Sequence, residues 1–484
     1  MNAFRYMPAC LLLCCLLCRY PALTAQKIYF TGDNTDQAAF DKIPRSATRA
    51  TRDIADLPDS ASIKLFAPVP RNQGNSGTCV AWSTGYAART ISYCIQHQVT
   101  NPAQINALSF SPTYLYYYVK TPGDQDCTGG SKIEDALKIL GSKGDVPMTT
   151  GLPACTNTID SATDQKARDY SIKTYVSLTN MFKRITNNEV LAIKKEIAEK
   201  KPVIFSLVCY KSLFNTGQDG RWTPVPDDSV VGNHAVCIVG YNDNKFGGAF
   251  EVMNSWGTDW GNHGFFWITY PQIMQNGSYA LELMDREVAQ RGLDGASFQP
   301  EIKGTLDFVT TDQEGRDLSL MPLSSFPVAG QEKRFYGYRL SNAYPSGQAF
   351  KIKFTTNAPA FVYIFSVDEN KTVSPLFPYA DNISPAVNST AATIYLPSET
   401  KHYSLNADAR KEAIAVIYSK SPVDISRLKS GIASGPDMGA ALSSLFSRQL
   451  IPLSRIRYGT DRISFQADAG ENEMICFLIN LDHQ

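Results

Sequence analysis

Apolar positions divide the chain into stretches of different period. Residues 26–56 scatter Thr, Asp and Arg through Gly32-Asp33-Asn34 and Arg45 to Arg52 with no sustained apolar spacing, which predicts an extended arm or short pro-segment. From Leu57-Pro58 onward the pattern changes. Helical spacing begins near Cys79, returns at Ile133, Ala136, Leu137 and Leu140, and returns again from Asn188 to Lys200. Strand-like runs follow at Val203 to Val208, Ala235 to Tyr241, Ala249 to Met253 and Gly264 to Ile268. Helices first and strands second predict an α+β unit whose two halves face each other.

Apolar periodicity then lapses around Arg291-Gly292, Asp294-Gly295 and Pro300, the mark of a linker. Beyond it, alternation takes over at Phe350, Ile352 and Phe354, at Phe361, Tyr363 and Phe365, at Ile414, Val416 and Tyr418, and at Ile475, Phe477 and Ile479. Period-two spacing broken by Asn, Gly and Pro predicts an antiparallel β-sandwich-like domain, with a helical insert around Met438 to Ser447. The expected division is a signal peptide over 1–25, the arm over 26–56, an α+β domain over 57–288, a linker over 289–302 and the β domain over 303–484. At 484 residues the chain exceeds what one core sustains.

The first residues pair Arg5 with an apolar run from Ala9 to Leu17, far short of the roughly 20 residues that span a bilayer. Export is the expectation, to the medium or the cell envelope, with cleavage before Gln26; the leader cysteines keep a lipid anchor open. No other stretch predicts a membrane span. Basic and acidic residues number 46 each, and the leader carries only Arg5 and Arg19, leaving 44 against 46. Such a balance gives no field that would gather nucleic acid. Seven cysteines lie beyond the leader, an odd number that leaves one thiol unpaired in an oxidising compartment. Cys209, Cys237 and Cys476 also read as buried hydrophobes within strands. No C-x-x-C pair lies beyond the leader and the five histidines are dispersed, so neither metal nor cofactor is expected.

Two distant segments carry complementary chemistry. Cys79 ends the turn Gln73-Gly74-Asn75-Ser76-Gly77-Thr78 where a helix begins, and unpaired N–H groups there favour a thiolate. His234 opens an apolar strand, on a rigid edge fit for a general base. Asn254, twenty residues on, supplies an amide to orient the ring, and Gln73 supplies an oxyanion donor.

Those segments, with Gly240-Tyr241 and Asn254-Ser255-Trp256-Gly257 continuing to Gly264-Phe265, resemble the papain-like cysteine peptidases. Spacing from Cys79 is 155 to His234 (234 minus 79) and 175 to Asn254 (254 minus 79), against roughly 130–150 in the family, an excess that insertions over 211–228 would explain. The resemblance implies a two-lobed fold, helical lobe against β lobe, acting on protein or peptide substrates. It implies Cys79 as nucleophile, His234 as base then acid, Asn254 as orienter and Gln73 with the Cys79 N–H as oxyanion site, the thiol and imidazole forming an ion pair in advance. It further implies that Trp256 shields the His–Asn bond at the substrate site and that Gly129 and Gly130 pair with a substrate backbone. Cys127 and Cys155 match a bridged pair of the family, though spacing leaves connectivity open. Ser76 and Val80 depart from the family pattern, as does the shortness of 26–56. The C-terminal domain resembles a β domain of undefined function. Surface or polymer contact, substrate positioning, cover of the cleft and simple stabilisation are all open to it. Alternatives to hydrolysis are a transpeptidase or amidase on wall peptides and a noncatalytic surface-binding protein.

Overall fold

In a computed structural model of the chain, the described residues are 29–47, 57–181, 183–286, 290–291, 297–298, 301–311, 317–320, 322–327, 335–340, 345–388, 393–398, 401–406, 411–435, 438–470 and 472–482. The expected leader, with its expected cleavage site and its cysteines, lies outside them, as does most of the expected linker. Within that linker, Gln290–Arg291 pairs with Ser297–Phe298, and the first long strand of the β domain starts at Glu301.

A seven-stranded sheet forms one half of the first unit. Its order is Thr174–Ser177, Gly277–Met284, Val203–Tyr210, Val230–Asn242, Ala249–Met253 and Phe265–Thr269, with Ser60–Ser62 added along Val230–Asn242. Every pairing is antiparallel. Three strands absent from the sequence expectation are Ser60–Ser62, Thr174–Ser177 and Gly277–Met284; the first two are too short to show a period, and the third follows a helix, Tyr270–Asn276, without a break.

The helical half is led by Cys79–Ala81, which runs into a π-wound segment, Trp82–Arg89, and then into Thr90–Gln96. Pro112–Val119 starts where Ser111 accepts from the Tyr114 N–H, and Ile133–Ser142 buries Ile133, Ala136, Leu137 and Leu140 on one stripe. Helix Asn187–Ala198 is set by a reciprocal cap between Thr186 and Glu189. One core joins the halves, with Val80, Ile91 and Leu137 on the helical side and Phe205, Val236 and Phe250 on the sheet.

The second unit is two seven-stranded sheets packed face to face. Leu306, Ile352 and Phe354 of one meet Ile364, Val416 and Phe477 of the other. The expected antiparallel pattern holds with one correction: Tyr336–Leu340 runs parallel to Met474–Asp482, because these strands lie far apart in sequence and reach the same sheet by a crossover rather than a hairpin. Two helices, Ile425–Ser434 and Met438–Phe446, cover the outer face of that sheet over Phe361, Ile417 and Leu478. No described helix is long and apolar enough to cross a membrane.

The arm ties the units together. Phe40 and Ile43 enter the first core, and Arg45 pairs with both Ser177 and Ile383 as an added strand segment. Its N–H donates to the Asn382 carbonyl at 2.8 Å and its own carbonyl accepts from the Ser384 N–H at 2.8 Å.

Arg89 fastens the helix that carries Cys79. Its buried guanidinium donates at 2.7 Å to Oδ2 of Asp285, just past the strand Gly277–Met284, and at 3.0 Å to the Tyr170 carbonyl. Arg89→Met strands the Asp285 carboxylate in a site built for a cation, so the first unit should lose about 3–5 kcal/mol. Urea unfolding followed by tryptophan fluorescence measures this; an unchanged midpoint would show that the ion pair contributes nothing.

Candidate active site

Strand register places the imidazole. His234 pairs with Leu207 and Ala235 with Ser206, so the ring leaves the sheet on the face opposite the side chains of its immediate neighbours. His234 Nε2 lies 2.8 Å from Asn254 Oδ1, and Asn254 follows directly on the strand Ala249–Met253. Trp256 stacks on the imidazole with centroids 4.7 Å apart and planes 20° apart, closing that hydrogen bond away from water. His234 and Asn254 are buried, and His234 Nδ1 has no hydrogen-bond partner.

Cys79 is buried at the start of its helix, with the backbone N–H groups of Ala235, Gly32 and Val80 directed at its sulfur. The nucleophile candidate and the residue after His234 therefore meet, although the sulfur makes no hydrogen bond to the ring. Gln73 is fixed on both sides: Oε1 accepts from Ser255 Oγ at 2.6 Å, and Nε2 donates to the Ser76 and Phe30 carbonyls at 2.7 and 3.2 Å. Cys127 is bonded to Cys155, while Cys79, Cys94, Cys209, Cys237 and Cys476 are free and buried. Among the described residues no group of three or more His, Cys, Asp or Glu side chains could hold a metal ion.

Residues 29–36 fill the groove between the halves. Gly32 lies so close to Gly77 that an added Cβ would stand 2.1 Å from the Gly77 carbonyl oxygen. On the helical side, Asn34 N–H donates to the Ser131 carbonyl at 2.9 Å and Ser131 N–H to the Gly32 carbonyl at 2.8 Å. Gly129 accepts from Asn34 Nδ2, and Gly130, at φ +73°, has no room for a Cβ beneath the Gly32 carbonyl. On the sheet side, Asp33 N–H donates to the Asn233 carbonyl at 3.2 Å. Tyr29 stacks on Trp256 at 4.6 Å, so Trp256 is buried between an imidazole and a phenol ring. Beside the covered groove a cavity of about 260 Å³ remains, lined by Gln73, Asn75, Ser76, Tyr117 and Asp126 among others.

This cover corrects one sequence expectation. Burial pushes the Cys79 thiol up to about 12, with the Asp33 carboxylate adding to the rise, and burial pushes the His234 imidazole down to about 4 against the Asn254 hydrogen bond. With the arm seated the pair is neutral thiol and neutral imidazole, not a preformed ion pair, because both charged forms have lost their water. Sequence reasoning also passed over Asp33, Ser206, Tyr279, Ser255 and Glu134. Only Ser255 carried a signal, its place within the Asn254 motif; the others sit in a polar turn, in apolar strands or at a helix start.

Two outcomes follow. Gly32→Ala should lever the arm from Gly77, and alkylation of Cys79 by iodoacetamide at pH 6 should accelerate at least tenfold, read by mass spectrometry; an unchanged rate would mean that the arm does not govern access. Glu134 is fully buried near Asp33, and burial raises its carboxyl to about 6. A raised value means its stabilising share is whole below the ordinary carboxylate range and is lost as pH climbs through about 6. Glu134→Gln should accordingly match wild type at pH 4 and exceed it by about 1–2 kcal/mol at pH 8 in urea unfolding.

Comparison with known proteins bears on the two units separately. Residues 58–281 match the family model described as papain family cysteine protease, and residues 343–422 match a domain of unknown function (DUF4384). An uncharacterized peptidase C1-like protein of Acanthamoeba polyphaga mimivirus is 26% identical over 42% of this chain and 64% of its own length. Cathepsin B-like cysteine proteinase 3 of Caenorhabditis elegans is 30% identical over 44% of this chain and 58% of its own length. The chain thus spans less than two thirds of either relative. Among solved structures, Xylellain, a cysteine protease from Xylella fastidiosa, aligns at 24% identity with a TM-score of 0.42, covering 54% of this chain and 98% of that one. Residues 58–281, a little under half of the chain, thus form a papain-family cysteine protease domain.

Proposed function

We propose that this protein is an exported cysteine peptidase that hydrolyses peptide bonds through an acyl-thioester on Cys79. One observation carries the reading: the 2.8 Å contact of His234 Nε2 with Asn254 Oδ1 beneath Trp256, which leaves Nδ1 free beside the strand residue whose N–H meets the Cys79 sulfur. Residues 26–56 act as the pro-segment, and separate cores in the two units support a division into 57–288 and 303–484.

Once the arm withdraws, water enters and His234 takes the thiol proton. The thiolate attacks the scissile carbonyl carbon, and charge builds on its oxygen. Gln73 Nε2, which donates to the Phe30 carbonyl in the covered state, then donates to that oxygen together with the Cys79 N–H. His234 passes its proton to the departing amine, leaving a thioester. It next deprotonates a water, whose attack releases the carboxylic acid and restores the thiol. Asn254 keeps the ring aimed throughout, and Trp256 keeps water from competing for the bond between them.

The C-terminal domain contributes by holding the arm. Its 382–384 segment pairs with Arg45, a contact that favours a role in covering the cleft over polymer binding.

Cys79→Ala should abolish cleavage of a fluorogenic peptide, and Gln73→Ala should lower kcat by about 10²–10³-fold while the protein stays folded. Adding excess amine tests the acceptor. Mainly acid product supports hydrolysis, mainly amide product would establish a transpeptidase, and hydrolysis undiminished in Cys79→Ala would overturn the proposed site.

A further inference from the structure

The groove holds a peptide already, and the chemistry around that peptide differs along its length. Backbone groups of residues 30–34 meet Gln73, Ser131 and Asn233, contacts that any sequence could make. The Asp33 side chain is treated otherwise. Its carboxylate enters the sheet side of the groove, where Ser206 Oγ donates to Oδ2 at 2.5 Å and Tyr279 OH lies 2.9 Å from Oδ2 and 3.1 Å from Oδ1. Two further donors come from the arm itself, Thr35 Oγ1 at 2.7 Å and Thr35 N–H at 3.1 Å.

Ser206 and Tyr279 belong to the body of the fold, not to the arm. They are direct partners across adjacent strands, so their side chains share one face, and Ser206 also pairs with Ala235, the residue after His234. Both are buried, Ser206 within the apolar run Val-Ile-Phe-Ser-Leu-Val and Tyr279 beneath the Phe40 ring at 5.1 Å. Hydroxyls in such a place cost stability unless an acceptor reaches them. Here the acceptor is a carboxylate that the arm lends and, on leaving, takes away. The pocket mouth is one residue along the arm from Gly32, whose N–H is directed at the Cys79 sulfur. A substrate lying in the same groove would present a side chain to the same hydroxyls.

We infer that the pocket floored by Ser206 and Tyr279 is a substrate subsite for a short acidic side chain, filled in this structure by Asp33 as an intramolecular stand-in. The inference rests on the peptidase reading for the word substrate, but the pocket's preference is a binding property and is testable without turnover. The two buried donors match the two oxygens of an aspartate. A leucine would leave both hydroxyls unpaired, and an alanine would leave them unpaired over a void.

The test uses the full chain carrying Asp33→Ala, which removes the competing carboxylate. Fluorescein-labelled heptapeptides of residues 29–35 are titrated by anisotropy, with Asp, Ala or Leu at the position of Asp33. The Asp peptide should bind at least tenfold more tightly than either other. Adding Tyr279→Phe or Ser206→Ala should bring that ratio below threefold while the Leu peptide binds no worse. Equal affinities, a preference for Leu, no binding by any of the three, or a ratio that survives both substitutions would overturn the subsite. Cleavage of an unrelated peptide, assayed in parallel with and without Cys79→Ala, separates the two ideas. Cys79-dependent cleavage without an Asp preference removes the subsite alone, whereas an Asp preference without such cleavage removes the peptidase reading and leaves the pocket standing.

Discussion

The pairing register of three central strands governs everything at the site. Val203–Tyr210, Val230–Asn242 and Ala249–Met253 meet so that Ser206 stands opposite Ala235, Leu207 opposite His234 and Met253 opposite Cys237. Alternation in a strand has a period of two, so a slip by one residue would exchange the faces of His234 and Ala235 and carry the ring away from Asn254 and Trp256. What prevents the slip is burial. Val203, Ile204, Phe205, Leu207, Val236, Cys237 and Ile238 have no solvent-facing alternative, and each would lose its packing together with its neighbours. The imidazole is therefore positioned by apolar side chains that never touch it, and Asn254 inherits its place from the end of the third strand.

From that frame comes a second dependence, between cover and charge. A thiol and an imidazole exchange a proton easily only where the resulting ions are solvated or paired, and the arm denies them water. Tyr29, Gly32 and Asp33 lie across the ring stack, the sulfur and the sheet, so the cover that closes the groove also holds the pair in its uncharged form. The arm is in turn held at two points. Asp33 is bound by hydroxyls at the groove and Arg45 by backbone pairing to both units some dozen residues later. A short segment with little apolar surface of its own gains its order from those two anchors and from Phe40 and Ile43 between them.

The motif residues were legible because acyl transfer at sulfur demands particular groups in particular local settings. A cysteine must open a helix, a histidine must stand on a rigid strand and an amide must end the next strand, and each setting leaves its own local trace around Cys79, His234 and Asn254. Strands such as Ala249–Met253 were legible for a similar reason, since their apolar runs end where the strands end. Shorter elements such as Thr174–Ser177 were not, because four residues hold too few periods to distinguish a strand from a loop. Asp33 reads as an ordinary turn residue between Gly32 and Asn34, Ser206 as a lone hydroxyl in an apolar run, and Tyr279 as one aromatic among many. Nothing local marks any of them, since what matters about them is which of the others they meet.

By itself, then, the sequence determined the candidate reactive groups, the α+β character of the first unit and the β character of the second, because those follow from residue type and short-range period. Tertiary structure alone decided that the arm returns through the groove, that its carboxylate finds two hydroxyls on adjacent strands, and that thiol and imidazole stay neutral beneath it. These are properties of contacts between residues as much as 246 positions apart, Asp33 with Tyr279, and of the water such contacts exclude. Neither quantity is written in any local stretch of the chain.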